Sequence, residues 1–164
     1  MAFILINIGS NIGNRRLNLS RAMRAVGDEF GDFEMSHVVE SAPWGYDSTN
    51  GFLNVGMAFH TELAPEELLD RLQEIERRIS PAPHRDADGN YADRMVDIDI
   101  IAIDMEEISS GRLKVPHPHL AGRRFFLEPL AELAPGWRHP ATGLTASEML
   151  AVLEREESDN GKRR

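Results

Sequence analysis

The stretch FEMSHVVESAPWGYDSTNGFLNVGMAFH, residues 33–60, decides the fold class. Residues 33–40 alternate, with Phe33, Met35, His37 and Val39 on one side, as a half-buried strand does. SAPWGYDSTNG, 41–51, is rich in turn-forming residues and reads as a long loop. NVGMAFH, 54–60, reads as a second strand. The two strands follow one another without an intervening helix. That succession predicts an α+β chain with a largely antiparallel sheet, not a doubly wound parallel one.

Working outward, FILINI (3–8) reads as a buried strand and GSNIGN as a loop with Asn14 as a helix N-cap. Leu19, Ala22, Met23 and Val26 have helical spacing over 15–26, and Gly27 is positioned to end that helix. Pro65, followed by Glu66 and Glu67, opens another helix, whose Leu68, Leu72, Ile75 and Ile79 form one apolar stripe. PAPHRDADGNY (81–91) reads as a mobile loop, 95–103 as a strand and 113–122 as loop. Residues 123–133 predict a short helix interrupted at Pro129. Thr145 and Glu148 form a capping box for a last helix near 146–156, and ESDNGKRR reads as a frayed tail. No repeat or linker divides the chain, so a single domain is expected over 1–157, with 158–164 a polar, disordered tail.

A length of 164 residues suits one domain with a substantial core. The net charge of −9 disfavours unspecific nucleic-acid binding, which needs a positive surface. A local basic pocket remains open to Arg112, Lys114, Arg123 and Arg124, which read equally well as solvated surface charges. No apolar run is long enough to span a membrane. MAFILINIGSN lacks the basic flank and the length of a signal peptide. Cysteine is absent, which excludes disulfide and thiol chemistry and suits a cytoplasmic protein.

DRMVDIDI, 93–100, places two aspartates in an apolar strand. Alternation sends Val96, Ile98, Ile100 and Ala102 to one face and Met95, Asp97, Asp99, Ile101 and Ile103 to the other. Asp97 and Asp99 then project side by side, with Cα atoms roughly 6.6–7 Å apart. Like charges so close repel, and a shared hard cation relieves the repulsion. Magnesium takes one or two carboxylates together with substrate phosphates and waters. The other reading is a solvent-facing strand edge, although aspartate is depleted in strands. Arg94 can hold a phosphate or pair with an acid.

YADRMVDIDII resembles the signature of the 6-hydroxymethyl-7,8-dihydropterin pyrophosphokinase family, with Arg94, Asp97, Asp99, Ile100 and Ile101 at matching positions. INIGSNIGNR (6–15), SAPWGYDSTNGFLNV (41–55), LAPEELLDRLQEIER (63–77) and RLKVPHPHLAGRRFFLEPLAELAP (112–135) resemble other parts of that family in the same order. The resemblance implies transfer of pyrophosphate from ATP to the pterin hydroxymethyl group, with release of AMP, in folate biosynthesis. It also implies a ferredoxin-like α+β domain, an antiparallel-dominated sheet with helices on both faces in a three-layer αβα arrangement. Carried over position by position, Asp97 and Asp99 hold two Mg²⁺ ions. ATP is bound by Gln73, Glu76, Arg94, Ile100, Arg112, Lys114, His117 and Arg123. The pterin is surrounded by Ser41, Ala42, Pro43, Trp44, Phe52, Asn54, Tyr91 and Phe125. Arg94, Asp97, Asp99, Arg85 and His117 form the catalytic set, with His84 as the alternative to Arg85.

Several positions depart from the pattern. Asn90 stands where a basic residue is usual, Asp93 where a small residue or Glu is usual, and Tyr91 where Trp is frequent. Lys114 replaces a small hydroxyl residue and Pro118 an aromatic found in some members. Singly, Phe52 and Phe125 also fit a core, and His117 with His119 has a spacing found in zinc sites. Two further functions stay open. One is another Mg-dependent small-molecule phosphotransferase; the other is a non-catalytic nucleotide- or pterin-binding module of the same fold. A monomer acting on small molecules, without nucleic acid or membrane, is the expected state.

Overall fold

The computed structural model describes residues 1–41, 51–80 and 95–162. The elements are β1 (Ala2–Ser10), α1 (Arg15–Phe30), β2 (Phe33–Met35), β3 (Val39–Ser41), β4 (Phe52–Thr61) and α2 (Pro65–Ile79). They continue with β5 (Asp97–Ile103), β6 (Ile108–Ser109), β7 (Lys114–Val115), a 3₁₀ turn (Leu120–Gly122), α3 (Arg124–Leu133) and α4 (Ala146–Lys162). The main sheet has the order β2-β4-β1-β5, with β3 also paired to β4, and each of these pairings is antiparallel. The expected α+β class with an antiparallel sheet is thus observed. β6 and β7 form a separate hairpin.

Two apolar layers hold helices to the two faces of the sheet. On one face Ile4, Ile6 and Ile8 of β1, Val55, Met57 and Phe59 of β4, and Ile98 and Ile100 of β5 pack against α1 and α2. The predicted α2 stripe is there: Leu68, Leu72 and Ile75 are buried. On the other face Leu5, Ala58, Ile101 and Ala102 pack against Phe126, Leu127 and Leu130 of α3 and Met149 and Leu153 of α4. Among the described residues the apolar part of this second layer stops at Leu5 on β1. Leu5 belongs to it, but Asn7 and Gly9, next along the same side of β1, are not apolar and leave a polar floor.

Several local expectations are corrected. Helix α1 runs through Gly27 to Phe30, because Gly27 lies inside a contact: a Cβ there would stand 2.8 Å from the Phe33 ring. Gly31, with φ +88°, ends the helix instead. The strand expected over 33–40 is broken into β2 and β3, which pair with β4 one residue out of register. Ser36 fills the break: its Oγ accepts from Gly56 N at 2.8 Å and donates to the His37 carbonyl. Phe33 and Met35 are exposed, 39% and 48%, so the alternation did not mark a core face.

Strict alternation also fails in β5. Ile6 pairs with Ile100 and Leu5 with Ala102, so Ile101 is an extra residue in a β-bulge. Past it the faces exchange, and Ile103 joins the layer of Ile98 while Ala102 joins the opposite one. The 113–122 segment, expected as loop, contains β7 and the 3₁₀ turn. Helix α3 continues through Pro129; the missing N–H costs one backbone hydrogen bond, and burial of Phe126, Leu127 and Leu130 offsets it. The capping box of α4 is formed, Thr145 N donating to Glu148 Oε1 at 3.1 Å and Glu148 N to Thr145 Oγ1 at 3.2 Å. That helix runs on past the expected end at 156 to Lys162, with Glu154 and Glu157 both paired to Arg124 of α3.

Candidate active site

A cleft of about 380 Å³ opens beside the outer edge of β5. Gln73 and Glu76 of α2 form one wall, Arg112 and Lys114 of the β6–β7 hairpin another, and Asp97, Asp99, Ile100 and His117 also line it. Six of the residues expected around ATP (Gln73, Glu76, Ile100, Arg112, Lys114 and His117) therefore converge with both aspartates on one cavity.

The carboxylates stand where alternation placed them. In the β1–β5 ladder Asp97 faces Gly9 and Asp99 faces Asn7. In the β1–β4 ladder Gly9 faces Asn54 and Asn7 faces Gly56. Directly paired residues share a face, so two rows cross the sheet: Asp97–Gly9–Asn54 and Asp99–Asn7–Gly56. Both aspartates are partly exposed at the cleft. Gly9 suits this floor, since a Cβ would sit 3.1 Å from Asn54 Oδ1 and 3.2 Å from the Phe52 ring, closer than ordinary contact.

Glu76 does not simply face the cavity as an open ligand. It is buried, and its Oε2 accepts the backbone N–H of Ile98 at 2.5 Å. Ile98 lies between the two aspartates on β5, which is the edge strand of the sheet among the described residues. Arg112, expected on the phosphates, extends to Asp70 of α2 at 2.5 Å and is about half exposed.

His117 comes from the turn after β7. Its N–H donates to the Ile101 carbonyl at 2.9 Å, and its ring lies edge-on to Phe126. Nδ1 accepts from the backbone N–H of His119, so Nε2 carries the proton of the neutral ring and points toward Asp99 Oδ1, 3.8 Å away. Burial, reinforced by the electrostatic influence of nearby Arg123 and His119, lowers its pKa to about 4. The imidazole is therefore neutral at pH 7. Arg123 stacks over the rings of Phe125 and Phe126, 5.6 and 5.1 Å from their centroids.

On the far side of the floor Asn54 is buried. Its Nδ2 donates to Ser41 Oγ at 2.8 Å and to the Val39 carbonyl at 3.2 Å, and its Oδ1 accepts from Asn7 Nδ2 at 3.3 Å. Ser41 and Phe52 line a smaller opening of about 290 Å³ with Arg15, Glu40 and Gly51. Phe125 is half-buried at the start of α3. Asn7 was not among the expected site residues. Its signal in the sequence is a lone polar residue inside the apolar run FILINI. Ala42, Pro43, Trp44, His84, Arg85, Asn90, Tyr91, Asp93 and Arg94 lie outside the described residues.

The donor set fits a hard cation shared with a substrate. Two carboxylates project together into the cleft beside its other lining residues. A pair of carboxylates is the protein contribution that such an ion needs when substrate oxygens and water supply the rest.

Comparison with known proteins agrees with this geometry. The family model of 7,8-dihydro-6-hydroxymethylpterin-pyrophosphokinase (HPPK) matches residues 5–135. A 2-amino-4-hydroxy-6-hydroxymethyldihydropteridine pyrophosphokinase of Porphyromonas gingivalis is 36% identical over 142 residues, 85% of this chain and 95% of that protein. The enzyme of the same name from Aquifex aeolicus is 36% identical over 141 residues, 85% of each chain. That from Bacillus subtilis is 35% identical over 130 residues, 78% of this chain and 75% of the other. Among solved structures, Plasmodium falciparum HPPK-DHPS superposes with a TM-score of 0.70 at 14% identity, over 96% of this chain. This chain spans 44% of the length of that larger protein, and the likeness shows the shared ferredoxin-like α+β fold. With the matched segment running from β1 to just past α3, and so across the sheet floor and the cleft, the chain belongs to the 7,8-dihydro-6-hydroxymethylpterin-pyrophosphokinase family.

Proposed function

We infer that the protein is an ATP-dependent pyrophosphokinase of folate biosynthesis, transferring the β,γ-pyrophosphoryl group of ATP to the hydroxymethyl group of 6-hydroxymethyl-7,8-dihydropterin. Family membership supports the reaction. The observation that carries the site assignment is the pair Asp97 and Asp99, projecting into a cleft and lying in the same sheet rows as Asn54 and Asn7. Nucleotide and pterin would meet across that floor.

The pterin hydroxyl oxygen attacks the β-phosphorus in line. The new O–Pβ bond forms as the bond from Pβ to the α,β-bridging oxygen breaks; AMP departs with that oxygen, and the hydroxyl proton is released to solvent. The chain's task is positioning and charge stabilisation. Gln73, Ile100, Lys114 and Arg112 hold the nucleotide, the last by exchanging Asp70 for a phosphate. Neutral His117 donates a hydrogen bond from Nε2 toward a phosphate oxygen near Asp99 without adding charge. Asp97 and Asp99 would hold two Mg²⁺ ions, which supply charge neutralisation on the phosphates and lower the pKa of the attacking hydroxyl. Ser41, Ala42, Pro43, Trp44, Phe52, Asn54, Tyr91 and Phe125 enclose the pterin, aromatic faces stacking on its rings. Arg94, Arg123 and Arg85 complete the phosphate contacts. Glu76 contributes through Ile98.

The same reading places the enzyme in the cytoplasm, which its cysteine-free sequence suits, and takes it to act as a monomer. No helix of the described residues is long and apolar enough to cross a membrane. The deciding experiment is incubation with ATP, Mg²⁺ and 6-hydroxymethyl-7,8-dihydropterin, followed by AMP detection. AMP and pterin pyrophosphate in equal amounts support the assignment; ADP, or no pterin-dependent product, refutes it.

A further inference from the structure

Asp70 and Arg112 link the two walls of the cleft. Arg112 sits in the turn between β6 and β7 and lines the cavity; Asp70 lies on α2 between the lining residues Leu69 and Gln73. Arg112 Nη2 donates to Asp70 Oδ1 at 2.5 Å. The turn that carries Arg112 is closed by Ser110, whose N–H donates to the Leu113 carbonyl at 2.9 Å and whose Oγ accepts from Leu113 N at 3.0 Å. Leu113 itself is buried in the first apolar layer. With the backbone of the turn held, it is the long Arg112 side chain that can swing. Its direction matters. On α2 the carboxylate end of the cleft is marked by Glu76, which bonds Ile98 between the two aspartates. Asp70 lies six residues earlier, about 9 Å along the helix. Glu66, a further turn back, adds a second negative charge near the same guanidinium. Arg112 is thus drawn toward the end of the cleft remote from Asp97 and Asp99. The side chains of Asp70 and Arg112 are 59% and 47% exposed, so their pair is hydrated and breaks at modest cost.

We propose that Asp70 competes with the nucleotide for Arg112 and thereby sets the affinity of the cleft for ATP. Asp70 holds the guanidinium at the rim, and the incoming triphosphate takes it over. This rests on the assignment of the cleft to the nucleotide. If binding breaks the Asp70–Arg112 pair, the pair weakens binding by the same factor. For an exposed ion pair that factor is about three- to fivefold. Asp70 is a positioning residue that acts through Arg112, so its effect falls on nucleotide binding and not on the chemical step.

Calorimetric titration with a non-hydrolysable ATP analogue and Mg²⁺ tests it on wild type, Asp70→Asn, Arg112→Gln and the double variant. Asp70→Asn should tighten the Kd about three- to fivefold at low salt. The gain should shrink below about 1.5-fold near 1 M salt, where charges are screened within about 3 Å. Arg112→Gln should weaken the Kd about tenfold. In that background Asp70→Asn should change the Kd by less than about 1.5-fold. In steady-state AMP release, Asp70→Asn should lower the KM for ATP and leave kcat and the KM for the dihydropterin within about twofold of wild type. A weaker Kd in Asp70→Asn shows that Asp70 orients Arg112 for the nucleotide and overturns the proposal, as does an unchanged one. A gain that persists in the Arg112→Gln background is a general loss of negative charge and overturns it too. An unchanged Kd in Arg112→Gln removes Arg112 from the nucleotide and the competition with it, while pterin-dependent AMP release would leave the pyrophosphokinase reading standing. A wild type that binds no nucleotide sinks the reading of the cleft itself, and the proposal with it.

Discussion

The Glu76 carboxylate accepts the Ile98 N–H at 2.5 Å, so a helix side chain serves as hydrogen-bond partner to the strand that bears Asp97 and Asp99. An unmet N–H at this buried spot would cost about 1–3 kcal/mol. Glu76→Leu should lower stability by about that amount in urea titration. It should depress turnover as well, because β5 loses its outer anchor. Glu76→Gln keeps an acceptor oxygen and should restore most of both. If Glu76→Leu proved as stable and as active as wild type, the anchoring role would be wrong.

Asp97→Ala and Asp99→Ala should each reduce AMP release by at least about 100-fold, because charge building on the phosphates loses its counter-ion. Folding should be little affected, since both side chains are partly exposed and their removal relieves mutual repulsion. Calorimetric titration with Mg²⁺ and a non-hydrolysable ATP analogue should show the loss of metal-dependent nucleotide binding. Near-normal turnover in Asp97→Ala would sink the metal assignment.

His117 supplies a pH signature. Its folded pKa is about 4, against an ordinary value of 6.5. Between those values the unfolded chain binds a proton that the native protein does not. Stability from this group is therefore complete above about pH 6.5 and is lost as pH falls toward 4. In metal-free protein the His117 ring resonances should stay in the neutral position at pH 6 and move only near pH 4. The urea midpoint should fall between pH 7 and 5, and His117→Gln should flatten that slope. A His117 titration midpoint near 6.5 would contradict the burial that causes the shift.

Gly56 tests the seating of α3. A Cβ at this position would stand 2.5 Å from Pro129 Cβ, so helix and sheet must part to accept it. Gly56→Ala should cost about 1–3 kcal/mol by overpacking. Since α3 begins at Arg124 and carries Phe125, the substitution should also raise the pterin KM. Denaturation together with steady-state kinetics reads both effects.

Which parts of this could be read without coordinates follows from the range of the interactions. The α2 stripe, the Asn14 cap and the Thr145–Glu148 box depend on neighbours within a few residues, and they stand as expected. So does the side-by-side placement of Asp97 and Asp99, because a pleat separates them and nothing else is needed. The alternation at Phe33 and Met35 misled, since an edge strand alternates without burying either side.

The sequence by itself determined the class of fold, the family and the side-by-side acidic pair of the candidate site. Only the tertiary structure decided where the β5 faces exchange, because the Ile101 bulge arises from pairing with Leu5 and Ile6, nearly a hundred residues away. The same holds for Glu76 turning to Ile98, for Arg112 pairing with Asp70, and for Asn7 lying opposite Asp99 while bonded to Asn54. Each of these depends on which chain segment lies alongside. That is set by the joint burial of two apolar layers, and no local spacing encodes it.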